Sequence, residues 1–157
     1  MLPLIRPAQN KDLPVLIDLL AQLFSIEADF AVNPEKQRQG LDLMLQEPNA
    51  CVLVAEINGQ VVGMGSLQIL ISTAEGGPVG LIEDLLVLPA WRKEGLGRAI
   101  LDALEAKAAA QGCTRLQLLA DKNNLPALAF YQSQGWLRTD LVGLRKEKLC
   151  LKRLKHH

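Results

Sequence analysis

The sequence predicts a mixed α/β domain, with a central and mostly antiparallel sheet of about six or seven strands flanked by about four helices. Three observations lead there. Two β-rich runs, Cys51 to Ile57 and Val61 to Ile71, meet at Asn58-Gly59, where both residues tolerate positive φ and suit a type I′ hairpin. Apolar residues recur at helical spacing through Leu13, Leu16, Ile17, Leu20 and Phe24, and again through Leu96, Ile100, Leu104 and Ala108. Strand-like and helix-like runs then alternate without repeat or low-complexity linker, which predicts one domain over residues 1–157.

In order, Leu4 to Arg6 reads as a short first strand, and Asn10 or Asp12 as the cap of a helix running from Pro14 to Phe24. An irregular segment, Ser25 to Asn33, leads to a second helix from Pro34 to Gln46 that Pro48 stops. The hairpin follows, and Gly76-Gly77-Pro78 turns the chain into a third successive antiparallel strand, Val79 to Leu88. A helix from Gly95 to Gln111 ends on Gly112 as its C-cap, and Thr114 to Leu119 is a fifth strand. Asn124 to Gln134 reads as a short helix, and Leu137 to Leu141 and Leu144 to Leu151 as one or two last strands.

Lys plus Arg and Asp plus Glu both number 17, so no net field draws the chain to nucleic acid or to a membrane surface. Charges interrupt every apolar run well short of the ~20 residues a span needs, and Met1 to Arg6 lacks the pattern of an export signal. A cytoplasmic location is the expectation. Cys51, Cys113 and Cys150 are odd in number and match no zinc spacing, so reduced core thiols and no bound metal are expected. His156 and His157 end a basic tail and read equally as native or as appended residues.

The chemistry begins at Arg92-Lys93-Glu94-Gly95-Leu96-Gly97, between a strand and a helix. A strand that turns through two glycines and restarts as a helix leaves several backbone N–H groups without intrahelical acceptors, all facing one spot, and such a spot binds phosphate. Side chains at positions 95 and 97 would hold ligand oxygens away from those amides. Arg92 and Lys93 add positive charge there, whereas Glu94 must point outward. The Lys-Ser/Thr of a P-loop is missing, and Ile100 stands where a dinucleotide fingerprint has its third glycine. A pyrophosphate ligand is implied, but neither an NTPase nor a Rossmann enzyme.

This turn resembles the Arg/Gln-x-x-Gly-x-Gly/Ala signature of the GNAT family of N-acetyltransferases. A second segment, Asn124-Leu125-Pro126-Ala127-Leu128-Ala129-Phe130-Tyr131-Gln132-Ser133-Gln134-Gly135-Trp136, is similar to the family's Asn-x-x-Ala-x-x-x-Tyr-x-x-x-Gly-aromatic pattern at every anchor. The resemblance implies acetyl-coenzyme A as cosubstrate. Its diphosphate would lie on Arg92, Lys93, Glu94, Gly95, Leu96, Gly97 and Arg98, and its pantetheine beside the backbone of Leu85, Leu86 and Val87, with Asn124 and Ala127 contributing. It also implies Tyr131, the only tyrosine, as the acid that protonates the departing thiolate, and a homodimer.

Two adjacent carboxylates, Glu83 and Asp84, interrupt the apolar strand Leu81 to Leu88, at a cost that demands a reason. Strand alternation sends them to opposite faces, Glu83 with Leu81, Leu85 and Val87. The resemblance implies a carboxylate here that takes the amine's proton, usually through water, and it favours Glu83, whose face it puts on the substrate side; burial would raise either carboxyl toward the range useful for a base at neutral pH. Asp84 is expected in a substrate-binding or structural role; the resemblance puts substrate choice in Phe24 to Asn33 and Ser72 to Gly80, and in the former Phe24, Glu27 and Asp29, acids beside aromatics, suit a small cationic amine. The resemblance leaves a protein amino-terminus or lysine as the rival acceptor, and a non-catalytic acyl-coenzyme A sensor as the rival of another class.

Overall fold

The structure, a computed structural model, describes residues 2–26, 31–147 and 149. It divides into two compact units, Met1–Asp121 and Lys122–His157. The first holds one five-stranded sheet in the order β1 (Leu4–Pro7), β2 (Ala50–Ile57), β3 (Gln60–Ser72), β4 (Gly77–Val87) and β5 (Leu116–Gln117). Neighbours are antiparallel except β4 and β5, which run parallel. Helices α1 (Leu13–Ile26), α2 (Pro34–Gln46) and α3 (Leu96–Ala110) complete it. The second unit contains α4 (Leu125–Ser133).

The hairpin forms as read. Ile57 pairs with Gln60 across Asn58 and Gly59, whose φ values of 51° and 79° are those of a type I′ turn. The strand count does not. Residues 137–147 carry no strand, and Leu137, Leu141 and Leu144 are exposed. Lys148 and residues 150–157, which include Cys150, His156 and His157, lie outside the described residues. Apolar alternation is only half of a strand; the other half is a ladder partner, and residues 137–147 have none. The fifth strand is likewise two residues long rather than Thr114 to Leu119.

On one face of the sheet α1 and α2 bury Leu16, Leu19, Leu20 and Leu41 against Val52, Val54, Met64 and Leu86. Each such burial stabilises the fold by ~1.5–3 kcal/mol. On the other face α3 lies close because three strand residues lack side chains. A Cβ built on Gly65 would sit 2.9 Å from both Ile100 Cγ2 and Leu104 Cδ1, and one on Gly63 would sit 3.1 Å from Ile100 Cδ1. At Gly80 it would meet Leu67 and Leu116. This seam fixes how deeply α3 sits and therefore where its first turn lies.

The start of the chain is tied down by charge. Arg6 on β1 donates through both terminal nitrogens to Asp12, at 2.8 and 3.0 Å, and through Nε to Glu56 at 2.9 Å. Asp12 also accepts the Gln9 N–H at 2.8 Å, so its carboxylate is turned back toward β1. The guanidinium holds the buried Asp12 carboxyl below the usual carboxylate range. Gln37 on α2 is the opposite case. It is buried, and neither its amide nitrogen nor its oxygen has a hydrogen-bond partner, at a cost of ~1–3 kcal/mol.

Candidate active site

Strand β4 carries an irregularity that alternation alone does not reveal. Its register against β3 steps from Leu86 opposite Met64 to Glu83 opposite Ser66, three residues against two, so β4 holds one extra residue here. Asp84 lies in this bulge at φ 54°, a left-handed conformation that aspartate tolerates better than most residues. The bulge resets the alternation. Glu83 shares its face with Leu81, as expected, but also with Leu86, whereas Leu85 and Val87 point toward α3 on the other face.

Glu83 is exposed, so the burial expected to sharpen it as a base is not there. Ser66, fully buried, donates its hydroxyl to the Glu83 carbonyl at 3.0 Å and pins the strand on the near side of the bulge. Asp84, Leu85 and Val87 are half-buried, and Leu86 belongs to the core.

The parallel ladder between β4 and β5 consists of Gly80 with Leu116 and Leu81 with Gln117, and goes no further. Beyond that point the two strands part. One carbonyl at the end of β4 is engaged: Arg92 Nε donates to the Val87 carbonyl at 2.9 Å, which holds the guanidinium against the strand. A short 3-10 turn, Pro89–Trp91, then leads into Lys93 at φ 64° and Gly95 at φ 81°.

Gly95 is the N-cap of α3, with no side-chain acceptor for the helix amides. A Cβ there would meet no protein atom within 4 Å, so its absence serves the backbone turn and the space beyond rather than packing. The first helical bond runs from Ala99 N–H to the Gly95 carbonyl at 3.0 Å. The amides of Leu96, Gly97 and Arg98 precede that bond and have no intrahelical acceptor. With no acidic residue in the first turn, the helix dipole adds to their attraction for an anion. Lys93, Glu94 and Arg98 are exposed, and Arg98 faces Asp102 along α3 at 3.7 Å.

In the second unit Asn124 caps α4, its Oδ1 accepting the Ala127 N–H at 3.3 Å. Gly135, at φ 88°, ends the helix: the Trp136 N–H reaches the Tyr131 carbonyl and the Gly135 N–H the Gln132 carbonyl, at 3.0 and 3.1 Å. Two anchors of the second motif are thus a helix start and a helix stop. Tyr131 is half-buried between Phe130 and Trp136, with ring centroids 5.3 and 6.0 Å away. Of the expected acceptor residues, Phe24 packs at the margin of the α1–α2 core, while Glu27 and Asp29 lie outside the described residues. Sequence reasoning passed over the bulge, although an Asp inside an apolar strand is a signal for one.

Burial pushes the Cys51 thiol up, away from the thiolate form a nucleophile needs. Among the described residues no group of three or more His, Cys, Asp or Glu side chains is placed to hold a metal ion, and no helix is long and apolar enough to cross a membrane.

The sequence profile of the Acetyltransferase (GNAT) family matches residues 17–136, which takes in both motifs. The chain belongs to this family and is an acyltransferase. It is 29% identical over 132 residues to an aminoalkylphosphonate N-acetyltransferase of Salmonella typhimurium, covering 84% of this chain and 83% of that one. Among solved structures it is similar to an acetyltransferase of Agrobacterium tumefaciens, with a TM-score of 0.78 and 27% identity over 92% of this chain and 99% of the other. An aminoglycoside antibiotic 6'-N-acetyltransferase of Acinetobacter haemolyticus gives a TM-score of 0.79 and 25% identity over 94% and 99%.

Proposed function

We propose that this protein transfers an acetyl group directly from acetyl-coenzyme A to a primary amine of a small cationic molecule. The observation that carries the proposal is the start of α3: three amides without intrahelical acceptors, opened by Gly95, directly after a strand whose parallel ladder stops at Leu81. The amides of Leu96, Gly97 and Arg98 take the diphosphate, with Arg92 and Lys93 nearby and Glu94 turned to solvent. The backbone of Leu85 and Leu86 lines the pantetheine where β5 has withdrawn, and Asn124 and Ala127 complete the hold on the cosubstrate.

In the reaction the amine nitrogen forms a bond to the thioester carbonyl carbon, and the carbon–sulfur bond breaks. The ammonium must first lose a proton. Glu83, exposed on its face of β4, takes that proton through a water molecule rather than as a buried base. Tyr131 supplies a proton to the departing thiolate, whose conjugate acid has a pKa of ~8.5 against ~10 for a phenol. Asp84, in the bulge beside Glu83, is kept as an acceptor-side residue. Phe24, Glu27 and Asp29 remain our acceptor-side residues. The names of the similar proteins, an aminoalkylphosphonate and an aminoglycoside enzyme, favour a small-molecule acceptor over a protein amino group. A cytoplasmic homodimer completes this reading.

The test is thiol release from acetyl-coenzyme A with a panel of amines, followed by product mass. Acetylated small amines are the expected result; binding of the cosubstrate with no thiol released by any amine would make the protein a sensor instead. Tyr131→Phe should lower kcat by ~100-fold while the acetyl-coenzyme A Kd stays within about twofold. Unchanged turnover removes Tyr131 from the chemistry.

A further inference from the structure

Among the buried residues of β3, Val61 to Leu67, Ser66 alone has a polar side chain. Its hydroxyl donates to the Glu83 carbonyl at 3.0 Å, and a buried hydroxyl is costly to leave unpaired, so this bond is a fixed part of the sheet. It falls at one particular place. Coming from the β3–β4 hairpin, Ser66 with Glu83 is the last pair before the ladder steps. A left-handed φ at Asp84 is a rotation about its N–Cα bond, so the unit turned relative to the strand beyond it is the Glu83–Asp84 peptide. The carbonyl of that peptide is the one Ser66 holds.

Strand register is ordinarily chosen by which apolar side chains it buries. Here that choice is absent. If the extra residue were Glu83 instead of Asp84, Asp84 would stand opposite Ser66, and every other residue from Leu81 to Leu86 would keep its face. The two arrangements exchange one carboxylate for another and move no hydrocarbon into or out of the core. They differ in the turned peptide. In the shifted arrangement it would be Ile82–Glu83, and its carbonyl would belong to the residue opposite Leu67, which has no side-chain donor to offer. The Ser66 hydroxyl therefore favours the observed arrangement, and the tolerance of aspartate for positive φ acts in the same direction.

We infer that Ser66 is a positioning residue for acetyl transfer: its hydroxyl pins the Glu83–Asp84 peptide, keeps the extra residue of β4 at Asp84, and thereby makes Glu83 the carboxylate that takes the ammonium proton. The inference rests on the reading of Glu83 given above. Holding the carbonyl fixes the direction in which the Glu83 Cα–Cβ bond leaves the strand, and a base that works through one water depends on that direction. Ser66, fully buried, acts only through Glu83.

Steady-state kinetics on folded variants tests it. Ser66→Ala should lower kcat by ~10-fold, while KM for acetyl-coenzyme A and for the amine stay within about twofold. Where Ser66→Ala is too unstable to assay, Ser66→Cys, close in shape and a weak donor, takes its place. Ser66→Thr keeps a hydroxyl and should return kcat to within about threefold of the wild type. The decisive measurement is removal of the hydroxyl in a Glu83→Gln background, where kcat should fall further by less than about twofold, because the group being aimed is no longer a base. The positioning role is overturned, while the enzyme stands, by an unchanged kcat in Ser66→Ala, by a Ser66→Thr as slow as Ser66→Ala, or by losses from Ser66→Ala and Glu83→Gln that multiply in the double variant. Unchanged turnover in Glu83→Gln alone overturns the reading of Glu83, and the role of Ser66 with it.

Discussion

Helices α2 and α4 begin on asparagines whose side chains fold back onto their own first turns, Asn33 accepting the Lys36 N–H at 3.2 Å and Asn124 the Ala127 N–H at 3.3 Å. Helix α3 begins on Gly95, which has no side chain to fold back. A capped start uses one of its own donors and gains stability; an uncapped start keeps its donors for something else. The third alternative precedes α1, where Asp12 is close to a helix start but is held by Arg6 and the Gln9 N–H. One chain thus treats the same acceptor-poor geometry in three ways, and only at α3 do charge, glycine and an abandoned strand edge coincide.

The contrast breaks most sharply if α3 is given the cap it lacks. Gly95→Asp keeps a residue type that tolerates positive φ and places a carboxylate over the Gly97 and Arg98 amides. Acetyl-coenzyme A should then bind ~100-fold more weakly by calorimetry, about 2.7 kcal/mol, with the melting temperature lowered by the strain of a side chain at φ 81°. Unaltered affinity in a folded variant would mean that the diphosphate does not lie on these amides.

Asp12→Asn should cost ~2 kcal/mol at pH 7, since a charge-assisted, buried pair is removed from one side. The sign with pH follows from the depressed Asp12 carboxyl. Its contribution is fully present above the unfolded value of ~3.9 and is lost as pH falls through the lower folded value. Urea midpoints of the wild type and of Asp12→Asn should therefore converge below about pH 4. A gap that persists into strong acid would show that packing, not charge, holds β1 to the following turn. The smallest effect belongs to Asn33→Ala, which should lose ~1 kcal/mol of stability and leave acetyl-coenzyme A affinity where it was; a loss of affinity would blur the distinction between capped and uncapped starts.

The parts of the fold written in local chemistry were legible from the sequence: the Asn58-Gly59 hairpin, the Pro34 and Leu96 helices, and the glycine stop at Gly112, whose φ of 82° lets Cys113 N–H reach the Ala108 carbonyl. Features that depend on a partner were not. A strand at Leu137 to Leu141 needs a neighbour as well as a pattern, and the side of the sheet that Glu83 faces depends on how many residues β4 sets against β3. The bulge at Asp84 moved Leu85 and Val87 to the α3 face. Gln37, a buried amide left unsatisfied on α2, had no signature at all, because burial is a property of what packs around a residue.

The three bare positions beneath α3, Gly63, Gly65 and Gly80, have a consequence for how this protein can diversify. A single methyl at Gly65 would press on Ile100 Cγ2 and Leu104 Cδ1 at 2.9 Å, so these side chains or α3 itself must give way before that layer can vary. Toward the β3–β4 hairpin, by contrast, Leu70 and Ile71 are exposed. Exchanges at such exposed side chains leave the bed of α3, and with it the turn at Gly95, as it is.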